Sequence, residues 1–404
     1  MSTRFAFTRP GPPAGSSAAR RRTAAGAMTA IVLLALNLRT LVASLPPLLT
    51  HVRADLGLSG FAAGLLTTLP VLAFGGFAPL APRLTRRISI ERVLVGCAVL
   101  TAIAAGMRGA GGWAPLYLGC ALAGLAVALA QAVLPVFIRL RHPEMTGMLT
   151  GAYSMSLTLG ATLAAALAVP LEDALGSWEA SLAAWALPAA LAALVWLPAA
   201  LRDGTTVTGP RSPGLWRNRL AWNVSVFMGV QSMAFYAALT WLPSVLEDAG
   251  FSEGEAGTLQ ALGALVQLAP AFAVPVLAAR SRHQIGILAA IVAFTTAGVI
   301  GLIVAPGAAL LWILVFGFGQ GGALGLGLIL PVLRGADAPS VAALTAMSLC
   351  VGYIVAAAGP WLLGAANALS GGWTVPLIVL AAISLLELVP GLPASRAGKL
   401  EGRT

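Results

Sequence analysis

Apolar stretches with no charged residue recur along this chain at 56–82, 109–138, 145–171, 180–201, 220–246 and 256–279. Each exceeds the roughly 20 residues that a helix needs to cross the hydrocarbon of a bilayer. Two longer runs, 284–333 and 338–386, each hold two such helices, divided near "APGA" at 305–308 and "LSGG" at 369–372. A shorter span at 93–107 and a first one over about 25–49 bring the expectation to twelve. Strict alternation of polar and apolar positions is missing, so a membrane barrel is excluded. The predicted fold class is an all-α integral membrane protein. Its expected organisation is a disordered tail over 1–22, a six-helix unit over 23–201, a linker over 202–219, a second unit over 220–395 and a tail over 396–404.

Composition agrees with the pattern. Of 404 residues, 58% are hydrophobic and 9% charged, and the mean hydropathy is +0.90. The net charge of +10 invites a nucleic-acid reading, but the placement of the charges opposes it. With the N-terminus in the cytoplasm, all 24 Lys and Arg except Arg39, Arg53 and Arg108 fall on the inner side. The opposite loops are acidic, as in "LEDALGSWE" and "LEDAGFSEGE". This is the positive-inside pattern of an inner-membrane protein with both termini cytoplasmic. The basic start "RRRTAAGAMTAIVLL" resembles a signal peptide only superficially, because its apolar part is too long and no small-residue cleavage site closes it.

The two units echo one another. "LGLSGFAAGLL" at 56–66 matches "AGFSEGEAGTL" at 249–259, and "VLPVFIRLRHP" at 133–143 matches "ILPVLRGADAP" at 329–339. Repeats of this kind are the plan of many secondary transporters. Polar side chains inside the spans follow the same repeat. Asn37 and Arg39 lie in span 1, Gln131 in span 4 and Tyr153 in span 5. Gln231 and Tyr236 lie in span 7, Gln260 in span 8, Gln320 in span 10 and Tyr353 in span 11. Spans 3, 6, 9 and 12 carry no mid-span Arg, Asn, Gln or Tyr, which predicts four lipid-facing helices around eight that enclose a polar path. Those nine polar residues are the candidate substrate contacts, the glutamines equally suited to hydrogen-bonding between helices.

Arg39 is the sharpest signal. It sits near the centre of its span, where an arginine costs about 2.5–3.5 kcal/mol to insert. Two roles are open to it: locking helices together through carbonyls or Gln side chains, or receiving an anion. No Asp or Glu falls near mid-span to neutralise it, which favours a ligand with negative charge or strong acceptors. Asn37 is about 200° away around a regular helix and is expected to point elsewhere.

Other motifs dissolve in context. "GFGQGG" at 317–322 fits a dinucleotide fingerprint but lies in an apolar helix with no preceding strand, so close helix packing explains it better. Cys97, Cys120 and Cys350 lie within spans as packing residues, and His51, His142 and His283 are too scattered for a metal. No nucleophile, base or metal set supports an intramembrane enzyme, and no cofactor is implied.

"NLRTLVASLPPLL", "ADLGLSGFAAGLLTTLPVLAFGGFAPLAPRL", "AQAVLPVFIR", "QSMAFYAALTWLP" and "GFGQGGALGLGLILPV" closely resemble the cyanate/2-nitroimidazole transporter family of the major facilitator superfamily. The resemblance runs over about 28–390. It departs at Leu349, where the family tends to carry Gln. It implies a monomeric carrier that moves a small anionic or polar nitrogen-containing solute across the membrane by alternating access. An exporter of nitroheterocycles is the alternative. Span 5 lacks the glycine-proline signature of many drug antiporters, which tilts the reading toward uptake. Either substrate-driven movement or proton coupling through Glu144 or Glu387 would suit the sequence.

Overall fold

The computed structural model describes residues 17–201, 204–207 and 214–400. Twelve helical spans are long and apolar enough to cross a membrane. They are Ala25–Leu56, Gly64–Leu84, Ile90–Arg108, Trp113–Arg141, Pro143–Leu175, Trp178–Leu201, Arg219–Asp248, Glu253–Arg280, Ile285–Val304, Pro306–Arg334, Ala338–Ser370 and Thr374–Ser395, numbered spans 1 to 12 below. Among the described residues there is no strand. The expected tail lies outside the described residues as far as position 16, and from Ser17 the chain is already helical, running to Ala43.

Prolines set the breaks within spans. Single-residue interruptions at Trp185, Gln267, Ala357 and Glu387 each precede a proline by three positions: Pro188, Pro270, Pro360 and Pro390. A proline has no N–H to give the carbonyl four residues back and its ring crowds that carbonyl, so the helix opens just before it. Span 1 breaks more fully. Its main helix ends at Ala43, a 3₁₀ turn covers Pro46–Leu48, and a short helix Leu49–Leu56 follows. Gly57, with φ of 62°, closes that helix in the left-handed conformation that glycine alone adopts without strain.

Spans 3, 6, 9 and 12 expose leucine, isoleucine and valine, such as Ile103, Leu194, Ile300 and Val389. Their main packing is within their own half, which suits the peripheral place that the sequence predicts for them. The repeat reappears at the basic face, the end of the bundle that carries 83–92, 139–141 and 280–282. Arg141 grips Glu91 at 2.9 and 2.5 Å, and Glu91 also accepts the Thr205 N–H at 3.0 Å. The residues 193 positions later, Arg334 and Gln284, are bonded in the same way, and Arg334 also holds Ala394 O at 2.7 Å. Both clasps tie the basic-face end of a fourth helix to the start of a third.

Among the described residues, the hydrophobic packing between the halves lies toward one end. One hydrophobic cluster joins residues of spans 1–6 to Met228, Leu328, Val332, Val341, Leu349 and Tyr353 of the second half. Toward the acidic face, the described clusters belong to one half each. A cleft therefore opens toward the acidic face and is sealed at the basic face. Close packing makes the seal: Ser154 Oγ donates to Ala271 O at 2.7 Å, and a Cβ on Gly147 would lie 2.7 Å from Ala279 Cβ. Span 2 approaches span 11 where a Cβ on Gly75 would lie 3.4 Å from Cys350 O.

Candidate functional site

Arg39 lies on the floor of this cleft and remains half-buried. Its Nη1 donates to Tyr236 Oη at 3.0 Å and its Nη2 to Tyr353 Oη at 3.5 Å. Tyr353 Oη in turn donates to Gln131 Oε1 at 3.2 Å. The bonds run from span 1 to spans 7 and 11 and from span 11 back to span 4, so all three cross between the halves. Phe74 supports it, its ring 5.0 Å from that of Tyr353 at 57°. Tyr153 is buried within electrostatic range of Arg39 and Tyr353. It owes this place to Gly160, two turns along the same face of span 5, where a Cβ would collide with Leu36 O of span 1.

Of the two roles open to Arg39, locking through carbonyls or glutamines is not what its bonds show. Its partners are two phenol oxygens, and three of its five N–H donors have no partner among the described residues. The described ion pairs are His51–Glu172 and Arg141–Glu91, so no carboxylate neutralises it. Around it, the Tyr153 hydroxyl and Gln131 Nε2 are buried without partners. Gln320 is buried with neither end of its amide bonded. It shares a helix face with Leu324 and Gly327, which look toward the inter-half cluster and Met228. The arrangement is cationic and rich in free donors. It can receive a small acceptor-rich anion by charge-assisted hydrogen bonds.

Three other predicted contacts are placed elsewhere. Asn37 donates to Leu33 O at 2.7 Å and to Pro188 O of span 6 at 3.1 Å. It ties span 1 to a lipid-facing helix, as its angular offset from Arg39 anticipates. The Gln231 amide turns back on Met228 O at 3.1 Å and Ser232 Oγ at 2.6 Å, within its own helix. Gln260 donates to Leu239 O at 2.9 Å, bracing span 8 against span 7 near the acidic face. Asn37 and Gln260 found carbonyls of neighbouring helices, which spacing along one helix cannot reveal.

Two charged residues behave differently from their sequence reading. Arg108, read as part of an outer loop, is fully buried at the end of span 3. It donates to Leu41 O at 2.6 Å and to Ser44 Oγ at 3.2 Å, capping the end of the helix that carries Arg39. The helix-locking arginine is thus Arg108. Glu387, expected from the sequence as a candidate for proton coupling, is fully buried at the break in span 12, and neither carboxylate oxygen has a partner. Glu144 is exposed at the basic face. The glycines of "GFGQGG" pack as expected: at Gly317 and Gly321 a Cβ would collide with Gly263 O and Gln267 O of span 8.

The model of the Major Facilitator Superfamily matches residues 27–357. The chain is 36% identical over 370 residues to the 2-nitroimidazole transporter of Escherichia coli (strain K12), covering 91% of this chain and 94% of that one. It is 32% identical over 351 residues to the cyanate transport protein CynX of the same organism, covering 85% and 90%. The solved proton:xylose symporter XylE superposes with a TM-score of 0.73 at 14% identity, over 93% of this chain and 97% of that one, which concerns the fold. Twelve spans, an internal repeat and this likeness over most of the length lead to one family. The chain belongs to the cyanate/2-nitroimidazole transporter family of the major facilitator superfamily, whose members are transporters and not enzymes.

Proposed function

We propose that this protein carries a small monoanion, cyanate-like or nitro-bearing, across the inner membrane, with Arg39 as its receptor. The observation that carries this reading is a mid-membrane guanidinium with free donors, no counter-charge and hydroxyls from the opposite half beside it. The relatives named for cyanate and 2-nitroimidazole support the ligand class. One guanidinium balances one charge, so a dianion would leave charge uncompensated once the cleft closes over the site. Gln131, Tyr153, Tyr236, Gln320 and Tyr353 complete the contacts. The halves 23–201 and 220–395 rock about this point as a monomer, exposing the site to each side in turn. The carboxylate nearest to a proton-coupling role, Glu387, sits away from the cluster in span 12. The gradient of the solute itself therefore supplies the drive.

Purified protein in liposomes tests this with cyanate, nitrate, benzoate, sulfate and 2-nitroimidazole. Saturable flux of one or more monoanions, with sulfate excluded, is expected. Carriage of sulfate or of organic cations in preference to every monoanion would refute the reading.

Orientation follows from charge. The basic face gathers every described Lys and Arg except Arg39, Arg53 and Arg108, so it belongs in the cytoplasm. Reporter fusions after Arg219 and after Glu255 are expected to give opposite compartment signals. The same signal from both would contradict it.

A further inference from the structure

The absence of a counter-charge beside Arg39 has a consequence for how the carrier returns empty. In the conformation seen here the half-buried guanidinium faces a cleft open to the acidic face, the side from which water reaches it. To present the site to the other side, the protein must pass through a closed state in which that water is gone. The described carboxylates other than Glu387 lie toward the two faces, and Glu387 is held in span 12, packed against spans 7 and 9. What remains for the guanidinium is two neutral hydroxyls, at 3.0 and 3.5 Å. A buried charge with dipoles but no opposite charge is costly. With a monoanion bound, the same closure buries a neutral pair. The loaded carrier therefore crosses between its two open states faster than the empty one.

We infer that the protein works as an anion exchanger, in which a monoanion leaving on one side is replaced by another before the site returns. The inference rests on the reading of Arg39 as an anion receptor. One monoanion moves inward for each that moves outward, so no net charge is transferred and no other ion need accompany the step. The second anion need not be the same species, provided that it has one charge and fits the site.

The test uses the full chain in liposomes with labelled cyanate outside and the membrane potential clamped at zero by potassium and valinomycin. Uptake is compared between vesicles filled with unlabelled cyanate and vesicles holding none. Exchange is expected to exceed net uptake at least about tenfold. Equal rates would overturn the exchange mode and leave the anion-carrier reading standing, whereas absence of saturable flux of cyanate and of every other monoanion of the panel would remove both. A second measurement avoids flux altogether. Fluorophores at Arg86→Cys and Arg282→Cys, exposed at the basic face on opposite halves, report interconversion in a Cys350→Ser background. Cyanate is expected to speed that interconversion by a similar factor. Interconversion as fast without cyanate as with it would overturn the inference.

Discussion

Replacing Arg39 by alanine is expected to abolish measurable anion binding while leaving the protein folded. The guanidinium is the only cation that the described structure places at the site, and a desolvated charge partner is worth about 2–5 kcal/mol or more on truncation. At 1.4 kcal/mol per factor of ten, that is roughly a 30- to 4,000-fold loss of affinity. Stability should not fall in step. Tyr353 keeps its bond to Gln131, Tyr236 is only half-buried, and removing an uncompensated buried cation relieves a desolvation penalty. Arg39→Lys keeps the charge but has no planar fork to serve two tyrosines and an anion together. It should bind about tenfold more weakly than the parent and well above the alanine variant. Binding is read by calorimetry or by ligand-induced thermal shift in detergent. A folded alanine variant with undiminished affinity would sink the receptor role, and an alanine variant that cannot fold would return Arg39 to helix locking.

The sequence alone was enough for the span count and for the lipid-facing third, sixth, ninth and twelfth helices. A membrane removes the ambiguity that usually blurs such readings: an uncharged stretch of more than 20 residues has few other fates. It also singled out Arg39, Gln131, Tyr153, Tyr236 and Tyr353, which the structure brings together, because a polar group at mid-span needs a partner or a cavity. What it could not give was which neighbour each polar group finds. Asn37, Gln231 and Gln260 pass the same test of position as Gln131, yet Asn37 and Gln260 are satisfied by carbonyls that only the packing brings near, and Gln231 turns back on Met228 and Ser232 of its own helix. Arg108 illustrates the limit at helix ends. Next to "GAGG" it reads as a loop residue, but span 3 carries it under the open end of the first helix, where free carbonyls await a donor. Glu387 was legible as a residue near a helix end, but its full burial depends on the break that Pro390 imposes and on spans 7 and 9 closing over it.

The seal at the basic face yields the other large effect, through one glycine. Gly147, Gly151 and Ser154 occupy one face of span 5, spaced four and three apart, and they meet span 8 along Ala271, Phe272, Pro275 and Ala279. At Gly151 a Cβ would collide with the Phe272 carbonyl oxygen, a backbone atom that no side-chain rotation can move aside. Valine there must force the two helices apart. Overpacking of this kind costs about 1–3 kcal/mol, and it applies only while the seam is closed. In the alternative state, with the basic face open, these helices separate and the added methyl groups meet water or lipid. The equilibrium should therefore move toward that state by roughly 5- to 160-fold, since each 1.36 kcal/mol is a factor of ten. Spin labels at Arg86→Cys and Arg282→Cys would show it as a shift of the distance distribution to longer values at the basic face. Gly76→Val is the matched control: it is also a helix glycine, in span 2, but nothing lies within 4 Å of where its Cβ would be. If Gly151→Val leaves the distances where Gly76→Val does, the span 5–span 8 seam is not what holds the basic face shut.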